Sequence, residues 1–161
     1  MKVEKGKFLV VKDGKEPLET ESLGASLALA ALDEADGVFG LWIFVLPAEK
    51  ILAQPVGGLP RSFFAAEGID EFLKALTEAG AKRENLTFYA AGGARFLEAP
   101  TVFDLGGLNI SMLRKLFRER GLKLSAEACG RPFPCRLTLN PEEPSVTVKI
   151  FGEEEEKWPK S

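Results

Sequence analysis

The stretch Val38-Phe39-Gly40-Leu41-Trp42-Ile43-Phe44-Val45-Leu46 carries apolar residues at both odd and even positions. A strand has two faces, so a strand with this pattern must be covered on both. The run therefore predicts a central strand with packed material above and below it. Just upstream, Leu27 to Leu32 is a second apolar run, and the connector Asp33-Glu34-Ala35-Asp36-Gly37 between them is acidic and ends in glycine. That combination predicts a hairpin. Counted to Pro47, the apolar run is about half of what a membrane-spanning helix needs. No membrane insertion is expected.

Around this hairpin the pattern alternates between short strands and two helices. Phe8-Leu9-Val10-Val11 lies between Gly6 and Asp13-Gly14 and reads as a strand. Ser62 to Ala79 reads as a helix, with Phe64, Ile69, Phe72, Leu73 and Leu76 at helical spacing and Gly80 as its stop. Leu86 to Ala91 is a strand running into Gly92-Gly93. Asn109 is placed to cap a second helix, Ile110 to Arg120, closed by Gly121. Strands are then predicted at Leu122 to Ala126, Cys135 to Asn140 and Ser145 to Phe151, the last two joined by Pro141-Glu142-Glu143-Pro144. Pro47 to Pro60, with Pro55, Gly57 and Gly58, is the longest irregular stretch and could border a site. Strands outnumber helices, and strict β-α-β-α alternation is absent. The expected class is an α+β layered sandwich rather than a doubly wound parallel sheet. Residues 1–151 are expected to form a single domain, followed by a frayed, charged C-terminal tail at 152–161.

Charge and cysteine content narrow the function. The formal net charge is −3, and Glu153 to Glu156 supply four of the negatives. A strongly basic nucleic-acid surface is therefore not expected. There are no histidines, so neither a Ser-His nor a Cys-His catalytic pair can form within the chain, nor a histidine-ligated metal site. Two cysteines, Cys129 and Cys135, cannot make a structural zinc site alone, and no cofactor is implied. The start of the chain lacks the apolar core of a signal peptide, and a cytoplasmic location is expected.

Several motifs are open to a chemical reading. Gly92-Gly93-Ala94 leaves a strand where glycines can cradle phosphate, but no Gly-Lys-Ser/Thr follows, and a tight strand exit is the preferred reading. A thiolate at Cys129 or Cys135 could be activated near Arg131, and a disulfide between them is geometrically possible, yet without histidine there is no obvious base and ordinary reduced cysteines are the preferred reading. Arg114, Lys115, Arg118 and Arg120, with Lys123 and Arg131 beyond, form either a solvated helix face or a site for an acidic partner. Leu23-Gly24-Ala25-Ser26 has the shape of a nucleophile turn.

Taken in order, these landmarks resemble the chemoreceptor glutamine deamidases, the CheD family. Thr20 and Gly24 match the family's Thr-Leu-Gly-x-Gly-Ser-Cys turn, and Leu46-Pro47 match the Leu-Pro end of its next strand. Gly80-Ala81 match a helix end and Gly92-Gly93-Ala94 a strand end; Gly106 and Asn109 match a helix start and Ala126-Glu127 a further strand end. The resemblance spans about residues 6–150. It implies a sandwich of packed mixed β-sheets with helices outside. It also implies partners in chemotaxis, either chemoreceptor cytoplasmic helices or a CheC-type phosphatase.

The departures fall on the chemistry. The resemblance puts Ser26 where the family has its nucleophilic cysteine and Ile43 where it has its histidine, while Thr20 is retained. The aspartate after Ala-Glu becomes Ala128, and the family's Gly-Gly-x-x-x-Arg signature is degraded to Gly130-Arg131-Pro132-Phe133-Pro134-Cys135. Deamidation needs a thiolate to attack the amide carbon and a group to protonate the departing ammonia. A hydroxyl without a base and an isoleucine supply neither. The expected function is a CheD-like chemotaxis protein that has lost catalysis and binds through the former active-site face. Leu23, Gly24, Ala25, Ser26, Gly92 and Gly93 are its candidate binding residues, and the loop Pro47 to Pro60 is expected to line the same groove as the turn. The alternative is an amidase acting on protein glutamine side chains, with Ser26 as nucleophile and a rebuilt base such as Lys12 or Lys50.

Overall fold

In the computed structural model of the chain, which describes residues 1–54, 56–95 and 104–160, the hairpin is the centre of the molecule. Strands β4 (Leu27–Asp33) and β5 (Val38–Phe44) pair antiparallel over their whole length, and every residue of both is buried. Side chains of β5 alternate between two cores. Phe39, Leu41 and Ile43 enter one cluster, while Val38, Trp42 and Phe44 enter the other. The remaining strands are β1 (Lys2–Val3), β2 (Phe8–Lys12), β3 (Leu18–Thr20), β6 (Thr87–Gly92), β7 (Leu124–Cys129), β8 (Cys135–Asn140), β9 (Ser145–Ile150) and β10 (Glu156–Trp158).

Two five-stranded mixed sheets result, with orders β1-β3-β8-β9-β10 and β2-β5-β4-β6-β7. Each is mixed through one parallel pair, β1 with β3 and β6 with β7. The first core lies between the sheets, where Leu137, Leu139, Val146 and Val148 of one sheet meet Ala28, Ala30, Leu41 and Ile43 of the other. The second core lies between the other face of the β4–β5 sheet and two helices, α1 (Ala65–Glu78) and α2 (Leu105–Arg120). The layers run sheet, sheet, helices. This is the expected α+β sandwich.

Helix α1 is fixed on the sheet by an aromatic group. Trp42 lies 5.1 Å from Phe44 and 5.5 Å from Phe72, ring centre to ring centre. Its indole N–H donates to the Ser62 carbonyl at 2.7 Å, and Gly68 of α1 leaves room for the indole edge. The turn of the hairpin is held by Asp33, whose carboxylate accepts from the amides of Asp36 at 3.0 Å and Lys82 at 2.9 Å. Burial alone would raise the Asp33 pKa. The two amide hydrogen bonds, aided by Asp36 and by the Lys82 charge, outweigh it and hold the carboxyl below its ordinary value.

Four local expectations are corrected. Asn109 does not cap α2, because Asp104 does, accepting from the Gly107 amide at 3.0 Å. The glycine pair Gly106-Gly107 disguised the true first turn. The strand expected at 122–126 is Leu124–Cys129, since the Leu122 amide instead closes the end of α2 onto the Phe117 carbonyl. Strands β1 and β3 add to the expected set; at two and three residues they are too brief to show a period in the sequence. Finally, the tail is not simply frayed. Residues 156–158 form β10, antiparallel to β9. Trp158 is buried and stacks on Tyr89 at 5.6 Å, and Arg131 pairs with Glu153 and Glu156.

Candidate functional site

The turn 23–26 carries the chain from one sheet to the other. Leu23 is bridged to Cys135 by two backbone hydrogen bonds, at 2.7 and 3.2 Å, so it belongs to the first sheet. Ser26 leads directly into β4 of the second. Thr20, at the end of β3, is buried; its hydroxyl accepts from the Leu137 amide at 3.1 Å and donates to the Glu21 carbonyl at 2.7 Å. That hydroxyl locks β3 to β8 just ahead of the turn.

The carbonyls of the turn are all held. Gly24 accepts from the Ala94 amide and Ser26 from the Gly93 amide, both at 2.9 Å. Ala25 accepts from the Asn109 side-chain amide at 2.9 Å, and the same nitrogen donates to the Val45 carbonyl at 2.9 Å. Asn109 thus ties the turn to the end of β5 from within α2. The sequence places this residue only at a helix start. The available signal was its poor helix propensity in mid-helix, which calls for a hydrogen-bonding reason. Its Oδ1 and the Ser26 hydroxyl are buried polar atoms without a hydrogen-bond partner among the described residues.

Gly92 and Gly93 serve this turn. Gly92 has φ +109°, and a Cβ there would collide with the Ser26 carbonyl oxygen. A Cβ on Gly93 would sit 2.8 Å from Ile110, and Gly106 is in similar close approach to the Gly93 and Ala94 carbonyls. The Gly93 and Ala94 amides that a phosphate would need are donated to the turn. Both glycines are buried, so they support the turn from behind.

Ile43 is fully buried on β5 directly opposite Ala28. Ser26 immediately precedes β4, two residues along the chain from Ala28. Neither lysine considered as a replacement base fits. Lys12 pairs with Val38, at the other end of β5, roughly 20 Å along the strand. Lys50 is exposed on the loop after β5, beside a groove that the turn does not line among the described residues.

The loop after β5 lines a groove, but not with the turn. A groove of about 470 Å³ is bounded by Pro47, Ala48, Lys50 and Ile51 on one side and Leu108, Ser111, Met112 and Lys115 of α2 on the other. The turn 23–26, expected in the same groove, contributes none of its lining among the described residues. Pro55 lies outside the described residues.

The other candidates resolve into structure. Much of the basic run is paired within the chain: Arg114 with Glu127 at 2.8 Å, Arg120 with Asp70 through two hydrogen bonds, and Arg131 with the acidic C-terminal segment. Cys129 and Cys135 are free thiols. Burial pushes the Cys129 thiol up to about 12, helped by the Glu127 charge, and pushes Cys135 up to about 11. Iodoacetamide is therefore expected to label both in the native protein at least about tenfold more slowly than an exposed cysteine. Labelling should still rise about tenfold per pH unit between pH 8 and 10, because both thiols remain mostly protonated there. A plateau near pH 8, read by mass spectrometry, would contradict the burial argument.

Among the described residues no three His, Cys, Asp or Glu side chains are grouped to hold a metal, and no helix is long and apolar enough to cross a membrane. The family model for CheD chemotactic sensory transduction matches residues 46–150. Thr20, Ser26 and Ile43 lie ahead of that match. The chain is 33% identical over 114 residues to the "Probable chemoreceptor glutamine deamidase CheD" of Solibacter usitatus, covering 70% of this chain and 66% of that one. It is 30% identical over 145 residues to "Probable chemoreceptor glutamine deamidase CheD 1" of Syntrophus aciditrophicus, covering 90% of both. A Methanococcus maripaludis relative of the same description is 29% identical over 154 residues, 95% of this chain and 96% of its own.

Proposed function

Since this chain belongs to the CheD family of chemotactic sensory transduction, we propose that it works in chemotaxis as a binding protein that has given up the deamidase reaction. The partner would be a chemoreceptor cytoplasmic helix or a CheC-type phosphatase, met on the former active-site face. One observation carries this reading: the Ser26 hydroxyl is buried without a hydrogen-bond partner among the described residues, and the position that the family resemblance pairs with it is Ile43, a hydrocarbon opposite Ala28 on β5. Amide hydrolysis through a serine needs a base to take the hydroxyl proton and an acid to return it to ammonia. Isoleucine does neither, and no histidine exists to do it from elsewhere. In a coupled catalytic pair, loss of one member costs about 10⁴ to 10⁶ in kcat.

The test is ammonia release from receptor cytoplasmic fragments containing target glutamines. The unaltered protein should release none above buffer, and Ser26→Ala should behave identically while both capture the receptor fragment or a CheC-type protein. Deamidation that vanishes in Ser26→Ala would overturn the proposal in favour of a serine amidase.

A further inference from the structure

Helix α2 uses only part of its circumference on the core. Ile110, Leu113, Leu116 and Phe117 face the sheet. The stripe Leu108, Ser111, Met112, Lys115 follows i, i+3, i+4, i+7 spacing and forms one wall of the groove against Pro47, Ala48 and Ile51. Leu108 is 41% exposed, unusual for leucine on a helix that already has a core face. The floor is apolar, and among the described residues the only charged ones lining it are Lys50 and Lys115. They stand on opposite walls, and neither is in an ion pair among the described residues, unlike Arg114 and Arg120 of the same helix.

We propose that this groove docks an acidic amphipathic helix, with apolar side chains seated between Leu108, Met112 and Ile51 and carboxylates on both flanks meeting Lys50 and Lys115. The proposal rests on the binding-protein reading above and assigns the chemistry of the partner segment. Three features select that occupant. Among the described residues the walls are a helix face and the segment around a short 3-10 turn, with no strand edge to which an extended peptide could add. The Leu108-to-Lys115 stripe spans about two turns, enough to seat anchors at i, i+3 or i+4, and i+7. Two lysines facing each other across an apolar floor favour negative charge on both edges of what lies between them, and like charge there would be repelled.

The probe is an 18-residue synthetic helix with leucines at i, i+3, i+4 and i+7 and glutamates flanking that stripe, compared with the same peptide carrying lysines in place of glutamates. Fluorescence anisotropy with the full chain should show the glutamate peptide binding at least tenfold more tightly. Leu108→Glu should weaken it at least tenfold. The double variant Lys50→Glu with Lys115→Glu should reverse the preference between peptides. All three positions are exposed, so melting temperatures should be unchanged, which separates loss of binding from loss of fold. Equal binding of the two peptides, binding of neither, or a charge preference that the double variant leaves intact would overturn the proposal. So would binding of the chain to anionic vesicles, or its self-association, if Leu108→Glu abolishes it while peptide binding is absent. Receptor-fragment capture is read separately. Capture indifferent to these variants with no peptide binding sinks the groove alone; peptide binding at the groove with no capture of receptor fragment or CheC-type protein sinks the partner reading alone.

Discussion

Gly92→Ala is expected to destabilise the protein by about 3 kcal/mol or more, the sum of a strained backbone and a rigid clash. The backbone at Gly92 sits at φ +109°, which side-chain-bearing residues rarely adopt, and the added Cβ meets the Ser26 carbonyl oxygen. That oxygen cannot swing away cheaply. It accepts from Gly93, and its neighbours Gly24 and Ala25 are held by Ala94 and Asn109. In thermal melts the shift should be a fall of roughly 6–12 °C for a chain of this size. Gly93→Ala should cost less, because φ +60° is the ordinary left-handed region and the contact is with the movable Ile110 side chain. A Gly92→Ala protein melting within about 2 °C of the original would show that the turn is not held as described.

Trp42→Ala should be comparably severe, about 3–5 kcal/mol by equilibrium urea unfolding. Trp42 is fully buried between Phe44 and Phe72, and its N–H satisfies the Ser62 carbonyl. Removing it opens a cavity under α1 and strands that carbonyl. Trp42→Phe isolates the second effect, expected near 1–3 kcal/mol, since most of the volume is retained and only the donor is lost. Destabilisation of Trp42→Ala by less than about 1 kcal/mol would mean that α1 is held mainly by other contacts.

The two positions illustrate different legibility. Trp42 could be placed from the sequence, since a run apolar at every position has to be an inner strand. Gly92 could be seen only as one of a pair of glycines after a strand, which favours a tight strand exit over a phosphate cradle without saying what the exit packs against. The choice between these depends on the carbonyl that lies opposite, which is 66 positions away in the chain. Asn109 shows the same limit more sharply. Its local context of glycines before a helical run suggests a cap, while its actual partners, Ala25 and Val45, come from two other elements.

Charge behaved likewise. The acidic C-terminal residues look like a solvated tail by composition, and become β10 because Trp158 finds Tyr89 and Arg131 offsets Glu153 and Glu156. Cysteine reactivity was open in sequence, and burial closes it by raising both thiols.

By itself the sequence determined the absence of any imidazole, the buried hairpin, the two helices and hence the layered class, because residue chemistry and hydrophobic period are local properties. Only the tertiary structure decided that Ile43 sits opposite Ala28 two residues from Ser26, that Asn109 clamps the turn 23–26 to the end of β5, and that Lys50 and Lys115 line one apolar groove. Those relations are set by sheet register and by helix packing on the sheet, which join residues distant in sequence and leave no periodic trace in it.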